Sequence, residues 1–225
     1  MTNEFIASMI GIAVFAGALM SVLQWMVKSD KYKQYRIRTP EVERIPMSIK
    51  ARNIGMNMVL SVGIFTFYLY FFHDNLFTNT TAAYTTIFGE VLATLLIYDF
   101  FYYFMHRIFH HPKLMKSIHG VHHKARFPTA MESVYLHPLE NIAGLSLLMG
   151  STMLIGPVSV SAFLLIIFFH TTANILVHSN MVFPHPAFRL PNFWATKHDA
   201  HHGKHLNRNF SSIFPFWDQM FGTYI

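Results

Sequence analysis

The feature that most restricts this chain is a set of long stretches without a charged side chain. Residues 5–27 form a run of 23 with no Asp, Glu, Lys or Arg, about 35 Å of α-helix and enough to cross the hydrocarbon layer of a bilayer. Residues 53–72 make a second run, and residues 85–105 a third that carries only Glu90 and Asp99. The apolar block 139–177 is too long for one crossing and is broken at Gly156-Pro157 as a turn would break it, so it reads as a helical hairpin. The expected fold is therefore all-α, a helical protein integral to a membrane, with residues 1–225 forming a single embedded domain. Only 12% of the residues are charged, against roughly 25% in soluble domains. Met1 to Glu4 lack a basic segment, so the first run is expected to remain as an anchor and not to be cleaved as a signal.

The basic residues suggest an orientation. Eight lie within residues 28–52 (Lys28, Lys31, Lys33, Arg36, Arg38, Arg44, Lys50, Arg52), five within 107–126 (Arg107, Lys113, Lys116, Lys124, Arg126) and four within 189–208 (Arg189, Lys197, Lys204, Arg208), which accounts for all 17. Three spans and a returning hairpin put every one of these segments on one side, which the positive-inside tendency makes the cytoplasm. The net charge of +6 then marks topology and not nucleic-acid binding. Asn79-Thr80-Thr81 is a glycosylation sequon on the opposite side, a pattern short enough to arise by chance. Proline-bearing loops (Pro40, Pro46; Pro184, Pro186, Pro191) separate the apolar blocks from polar ones.

The chain has 15 His and no Cys, which excludes thiolate metal sites, a cysteine nucleophile and disulfides. Three histidine groups fall on the proposed cytoplasmic side. His106 and His110 are four apart and share a helix face; His119, His122 and His123 form H-x-x-H-H; His198, His201 and His202 repeat it. Two H-x-x-H-H matches arise by chance in a chain of this composition with a frequency on the order of 0.2%. By contrast, His73 and His185 stand alone and read as ordinary histidines. Eight clustered imidazoles exceed the three or four that one zinc takes, so two metal ions are the natural count. Imidazole suits iron, zinc, copper and nickel alike. No Glu is followed three residues later by His, so the soluble Glu-x-x-His di-iron class is excluded, and H-E-x-x-H, G-x-S-x-G and P-loop motifs are absent.

At these residues the sequence resembles the integral-membrane fatty acid hydroxylase / sterol desaturase superfamily, whose boxes read H-x-x-x-H, H-x-x-H-H and H-x-x-H-H. The resemblance extends to Asp99-Phe100-Phe101-Tyr102-Tyr103-Phe104-Met105-His106-Arg107 before the first box and to Phe216-Trp217-Asp218-Gln219-Met220-Phe221-Gly222-Thr223 near the end. Tyr135-Leu136-His137-Pro138-Leu139-Glu140 and Val177-His178-Ser179-Asn180 look most like the sterol 4-methyl oxidase branch. The resemblance implies a non-haem di-iron oxidoreductase that uses O₂ and external electrons to hydroxylate, oxidise or desaturate a C–H bond of a membrane lipid, fatty acyl or sterol-like. It implies metal ligands at His106, His110, His119, His122, His123, His178, His198, His201 and His202. Two iron ions are the implied cofactors, with zinc a substitute in purified protein because it lies above iron in general affinity order.

Around these ligands several roles stay open. Asn174 lies on the helix face of His178. Asp99, a heptad before His106, is a costly carboxylate within a span; it either orients a metal-bound imidazole or bonds a span tyrosine. His137 either supports a ligand or shapes the His-Pro corner, and His111 points away from the ligand face. Asp199 is either a support behind the ligands or a solvated loop residue, and Glu90 a buried polar partner. The aromatic run Phe100 to Phe104 either lines a lipid slot or forms an interfacial belt. No flavin, nicotinamide or haem motif occurs, so a separate reductase and a small electron carrier are the expected partners beside lipid and O₂, in a bacterial inner membrane or the endoplasmic reticulum. The alternative is a membrane zinc or nickel binding or transport protein, which needs ionisable ligands spread through the spans.

Overall fold

The computed structural model describes residues 2–39, 45–78, 80–203 and 205–225; Pro40, Arg44, the sequon residue Asn79 and Lys204 lie outside the described residues. Among the described residues the α-helices are α1 (Asn3–Lys28), α2 (Met47–Phe71), α3 (His73–Leu76), α4 (Tyr84–Phe109), α5 (Pro112–Ser117), α6 (Pro138–Ile155), α7 (Val160–Val177), α8 (Arg189–His202) and α9 (Phe216–Met220). Five of them, α1, α2, α4, α6 and α7, are long and apolar enough to cross a membrane. Their outward faces carry exposed apolar side chains such as Val14, Val59, Val62 and Leu154, the surface a helix presents to hydrocarbon.

The five long helices pack as neighbours in the order α1, α7, α4, α6, α2. Leu95, Tyr98, Leu148, Phe163 and Ile166 fill the centre. Where helices meet in lipid, polar side chains supply specific contacts. Asn57 donates to the Leu136 carbonyl at 2.9 Å, and Asn141 donates to the Asn57 carbonyl at 3.0 Å, tying α2 to α6. Lys50 and Glu132 form a buried ion pair at the same end of α2.

Local chemistry explains the helix ends. Thr2 caps α1 by accepting from the Phe5 N–H, and Pro138 occupies the first turn of α6 where its missing N–H is not needed. The link from α6 to α7 turns at Gly156, whose φ of 105° and ψ of 179° suit a residue without a Cβ. Ser159 then caps α7, and the Glu90 carboxylate of α4 accepts from both the N–H and the hydroxyl of Ser159 (3.1 and 2.7 Å). Beside this turn, two-residue strands β1 (Phe77–Thr78) and β2 (Val158–Ser159) pair in parallel, a feature that the hydropathy pattern does not reveal.

Two helix bounds differ from the uncharged runs. α2 starts upstream of residue 53 because Lys50 finds a carboxylate partner and need not stay in water. α4 runs on past residue 105 and carries His106 on its last turn. The hairpin turn, β1 and the start of α4 gather at one end of the helices. The opposite end holds the described Lys and Arg residues and all three histidine boxes.

Gly156→Ala meets no neighbouring atom, so its cost is backbone strain alone, about 1–3 kcal/mol. The expected result is a lower unfolding temperature in detergent with unchanged metal uptake, since the histidines lie at the other end of the helices.

Candidate metal centre

The first box occupies the end of α4: His106 sits on its last turn and His110 caps it. Pro112 then starts α5, which turns the chain back so that a 3₁₀ segment, His119–Lys124, brings the second box beside the first. This differs from the α-helical spacing assumed above. Gly120 permits the turn, because a Cβ there would collide with the Met115 carbonyl oxygen. The third box is the last turn of α8, and His178 caps the end of α7.

The nine imidazoles fall into two groups. His106, His110, His119, His123 and His201 bring one ring nitrogen each within 4.8 Å of one another, and His122, His178, His198 and His202 do the same. All but His110 and His123 are buried. The H-x-x-H-H boxes are therefore not single stripes. In the second box the i, i+4 pair His119 and His123 serves the five-histidine group while His122 joins the other. In the third, His198 and His202 serve the four-histidine group while His201 crosses over.

Hydrogen bonds define which nitrogen of each ring carries the proton, since a carbonyl oxygen only accepts. Nδ1 donates to the carbonyl of Phe210 from His106 (2.7 Å), of Tyr135 from His122 (3.1 Å), of Asn174 from His178 (2.7 Å), of Arg208 from His201 (2.7 Å) and of Ala125 from His202 (3.1 Å). His119 places Nδ1 2.8 Å from the Glu140 carboxylate. Each of these rings is left with a bare lone pair on Nε2. Yet Nε2 of His106 lies 3.1 Å from Nε2 of His119, and Nε2 of His122 lies 3.2 Å from that of His178 and 3.1 Å from that of His202. Lone pair faces lone pair with no proton to share, an arrangement that repels unless a cation stands between. Nε2 of His201 is buried without any partner. Burial holds His119 at about 3, and burial with neighbouring imidazoles holds His110 and His178 at about 3; His198, His201 and His202 are pushed well below the usual imidazole range by the same causes. These are neutral nitrogen donors converging on two points, a set that fits two borderline divalent transition metals.

Other expected site residues are placed elsewhere. Asp99 touches neither an imidazole nor a tyrosine hydroxyl: it accepts from the N–H groups of Ser212, Ile213 and Phe214 at 2.7, 2.9 and 2.7 Å. Its expected partner His106 already has its Nδ1 proton on Phe210. Asp199 takes both of its oxygens to Arg38 Nε (2.9 and 2.7 Å) and supports no ring. His137 accepts from the Leu139 N–H and caps α6, the His-Pro corner role. Asn174 does orient His178, through its backbone carbonyl and not its side chain, which bonds the Ser133 carbonyl. His111 is exposed and outside both groups. Glu140 was not singled out as a site residue; the signal was available, since it is the sole carboxylate in the 139–177 block. The carbonyls of Ala125, Tyr135, Arg208 and Phe210 have no residue-type signature.

A cavity of about 570 Å³ opens beside the five-histidine group, lined by Phe104, Ile108, Leu114 and Phe210, with His110 on its wall and Arg107 among its lining. Of the aromatic run, Phe104 alone lines it; Phe100 stacks edge-on against Trp217.

Residues 91–223 match the fatty acid hydroxylase family. The chain is similar to methylsterol monooxygenase 1 of Rattus norvegicus, 33% identical over 140 residues, 60% of this chain and 46% of the rat protein. Methylsterol monooxygenase 1 of Danio rerio is 30% identical over 151 residues, 64% of this chain and 50% of that protein. A very-long-chain aldehyde decarbonylase of Oryza sativa subsp. japonica is 31% identical over 147 residues, 62% of this chain and 53% of the rice protein. The chain thus spans about half the length of the relatives it matches. No solved structure matches it.

Because the fold favours neutral imidazole, the unfolded chain binds protons below about pH 6.5 that the folded chain refuses until about pH 3. Stability of the metal-free protein must therefore fall as pH falls through that window. Thermal unfolding in detergent should occur several degrees lower at about pH 5 than at about pH 7.5; equal or higher stability at pH 5 contradicts this account of the rings.

Proposed function

Because the chain belongs to the fatty acid hydroxylase family, we propose that it is an O₂-dependent oxidoreductase that oxidises a C–H bond of a membrane lipid at two iron ions held by the nine imidazoles. The observation that carries this reading is the set of facing Nε2 lone pairs at 3.1 to 3.2 Å within two separate groups. His106, His110, His119, His123 and His201 hold one ion; His122, His178, His198 and His202 hold the other. Two iron ions, supplied with O₂ and two electrons, provide an oxidant strong enough for an unactivated C–H bond. For hydroxylation, one oxygen atom enters the C–H bond and the other leaves as water with two protons.

The chain's own residues supply placement. Five backbone carbonyls and Glu140 hold the Nδ1 side of six rings, His106, His119, His122, His178, His201 and His202, outward, so that the Nε2 lone pairs of those six face inward. The apolar side chains of the cavity, Phe104, Ile108, Leu114 and Phe210, hold the reactive end of the lipid beside the five-histidine group. The names of the relatives make a methylsterol and a very-long-chain aldehyde the first substrates to test. In this proposal a separate reductase and a small carrier supply the electrons. The basic residues at the histidine end support a site on the cytoplasmic face of a bacterial inner membrane or the endoplasmic reticulum, with the whole chain acting as one embedded unit.

A zinc or nickel transport reading needs ionisable groups free along the spans. Glu90 is engaged by Ser159 and Asp99 by residues 212–214, which leaves neither for a pathway.

Purified protein with iron, a reductase system and a methylsterol, long-chain aldehyde or fatty acid should consume O₂ in step with oxidised lipid. His178→Ala should reduce bound metal from two ions to one and abolish turnover; full metal content in that variant would show the ligand assignment to be wrong. Leu114→Trp should raise KM for the lipid while both metals stay bound.

A further inference from the structure

Two carboxylates outside the histidine groups share one stretch of backbone. Asp218, wholly buried, accepts from the N–H of Phe210 at 2.7 Å and of Ser211 at 3.0 Å, and also from the hydroxyls of Ser211 and Thr223. Lys197 lies 3.3 Å away and balances its charge. Asp99, equally buried, takes the next three N–H groups, those of Ser212, Ile213 and Phe214. Five consecutive peptide N–H groups are thereby directed at two buried acids.

The direction matters because N–H and C=O of one trans peptide point opposite ways. The peptide whose N–H belongs to Ser211 has the carbonyl of Phe210 on its other side. Anchoring that N–H on Asp218 aims the Phe210 carbonyl at Nδ1 of His106, 2.7 Å away. Two peptides earlier, the Asn209 N–H donates to the Thr223 carbonyl at 2.9 Å, and the Arg208 carbonyl on the far side of that peptide receives Nδ1 of His201. Thr223 is in turn held by Asp218 through its hydroxyl at 2.8 Å. Both relays end on the five-histidine group, and neither touches the other group. A carboxylate at one end of a hydrogen-bonded chain also polarises the peptide, making its carbonyl a stronger acceptor and the imidazole beyond it a better donor to metal.

We propose that Asp218, with Asp99 fixing the adjoining peptides, is a positioning residue for the five-histidine metal site, acting through the Ser211 and Asn209 peptides to hold His106 and His201 with Nε2 facing inward. This rests on the two-metal reading above. Asp218→Asn keeps the size of the side chain but puts an NH₂ donor among five donors, and so breaks the relay.

The test is titration of the purified full-length protein with Co(II) alone, read by its absorption spectrum and by metal count. Two ions should bind to the native chain. In Asp218→Asn the affinity of one site should fall roughly 10- to 100-fold, as for other residues behind metal ligands, while the second site keeps its affinity and spectrum. Asp99→Asn should weaken the same site. Asp218→Asn combined with His178→Ala should leave no tight site, because the two changes act on different ions. Two native-affinity sites in Asp218→Asn, or equal weakening of both, overturns the proposal. Failure of the native chain to bind two ions would instead sink the two-metal reading itself. Should the carboxamide variants not fold, Thr223→Val removes one bond from the same carboxylate. A smaller loss at one site supports the proposal, and two unchanged sites overturn it.

Discussion

An imidazole drawn into a dry interior needs somewhere to put its N–H, and six of the nine rings find an acceptor for it here. This accounting governs where in the fold the site sits. Within a helix the carbonyls are already bonded, but at a helix end and in irregular backbone they are free. His178 uses a carbonyl of the final turn of α7; His106, His122, His201 and His202 use carbonyls of the segments around residues 125, 135, 208 and 210. The membrane helices bring the rings to one end, and the non-helical connections there take their protons. The seemingly shapeless parts of the chain determine which nitrogen of His106, His122, His201 and His202 remains bare.

The H-x-x-H-H spacing acquires a meaning in three dimensions that it lacks as a line of text. In each box the first and last histidines face one group and the middle one the other, and the second and third boxes do this in opposite senses. His122 and His201 are the exchanged members. The two groups are thus interlocked by backbone: neither box can shift without disturbing both, which maintains their separation more firmly than two independent sites would.

Much of this was legible in the residues. Apolar runs predict three spans and a helical hairpin, matching the five membrane-length helices, and the histidine spacing identifies eight of the nine rings that the structure brings together, His178 coming from the family resemblance alone. Their division into five and four was not legible, because the second box, in a 3₁₀ segment, and the third, in an α-helix, divide alike, so the division follows from how the boxes pack together and not from spacing along either one. The carbonyl acceptors were invisible for a plainer reason: any residue can supply one. Asp99 shows the limit of helical-face arguments. It does share the side of α4 that bears His106, but a loop more than a hundred residues away offers three N–H groups, a better match to a carboxylate than a ring already bonded.

The hydrogen bond from His106 to Phe210 joins residues 104 apart in the chain, and that from His202 to Ala125 joins residues 77 apart. Neither bond can form before its later partner, residue 210 or residue 202, has joined the chain. A ribosome delivering this chain would expose His106, His110, His119 and His123 well before the backbone that orders His106 exists. Until then those imidazoles are free to sample either tautomer and to hold whatever cation is at hand only loosely. Any discrimination between metals is thereby deferred to the finished fold.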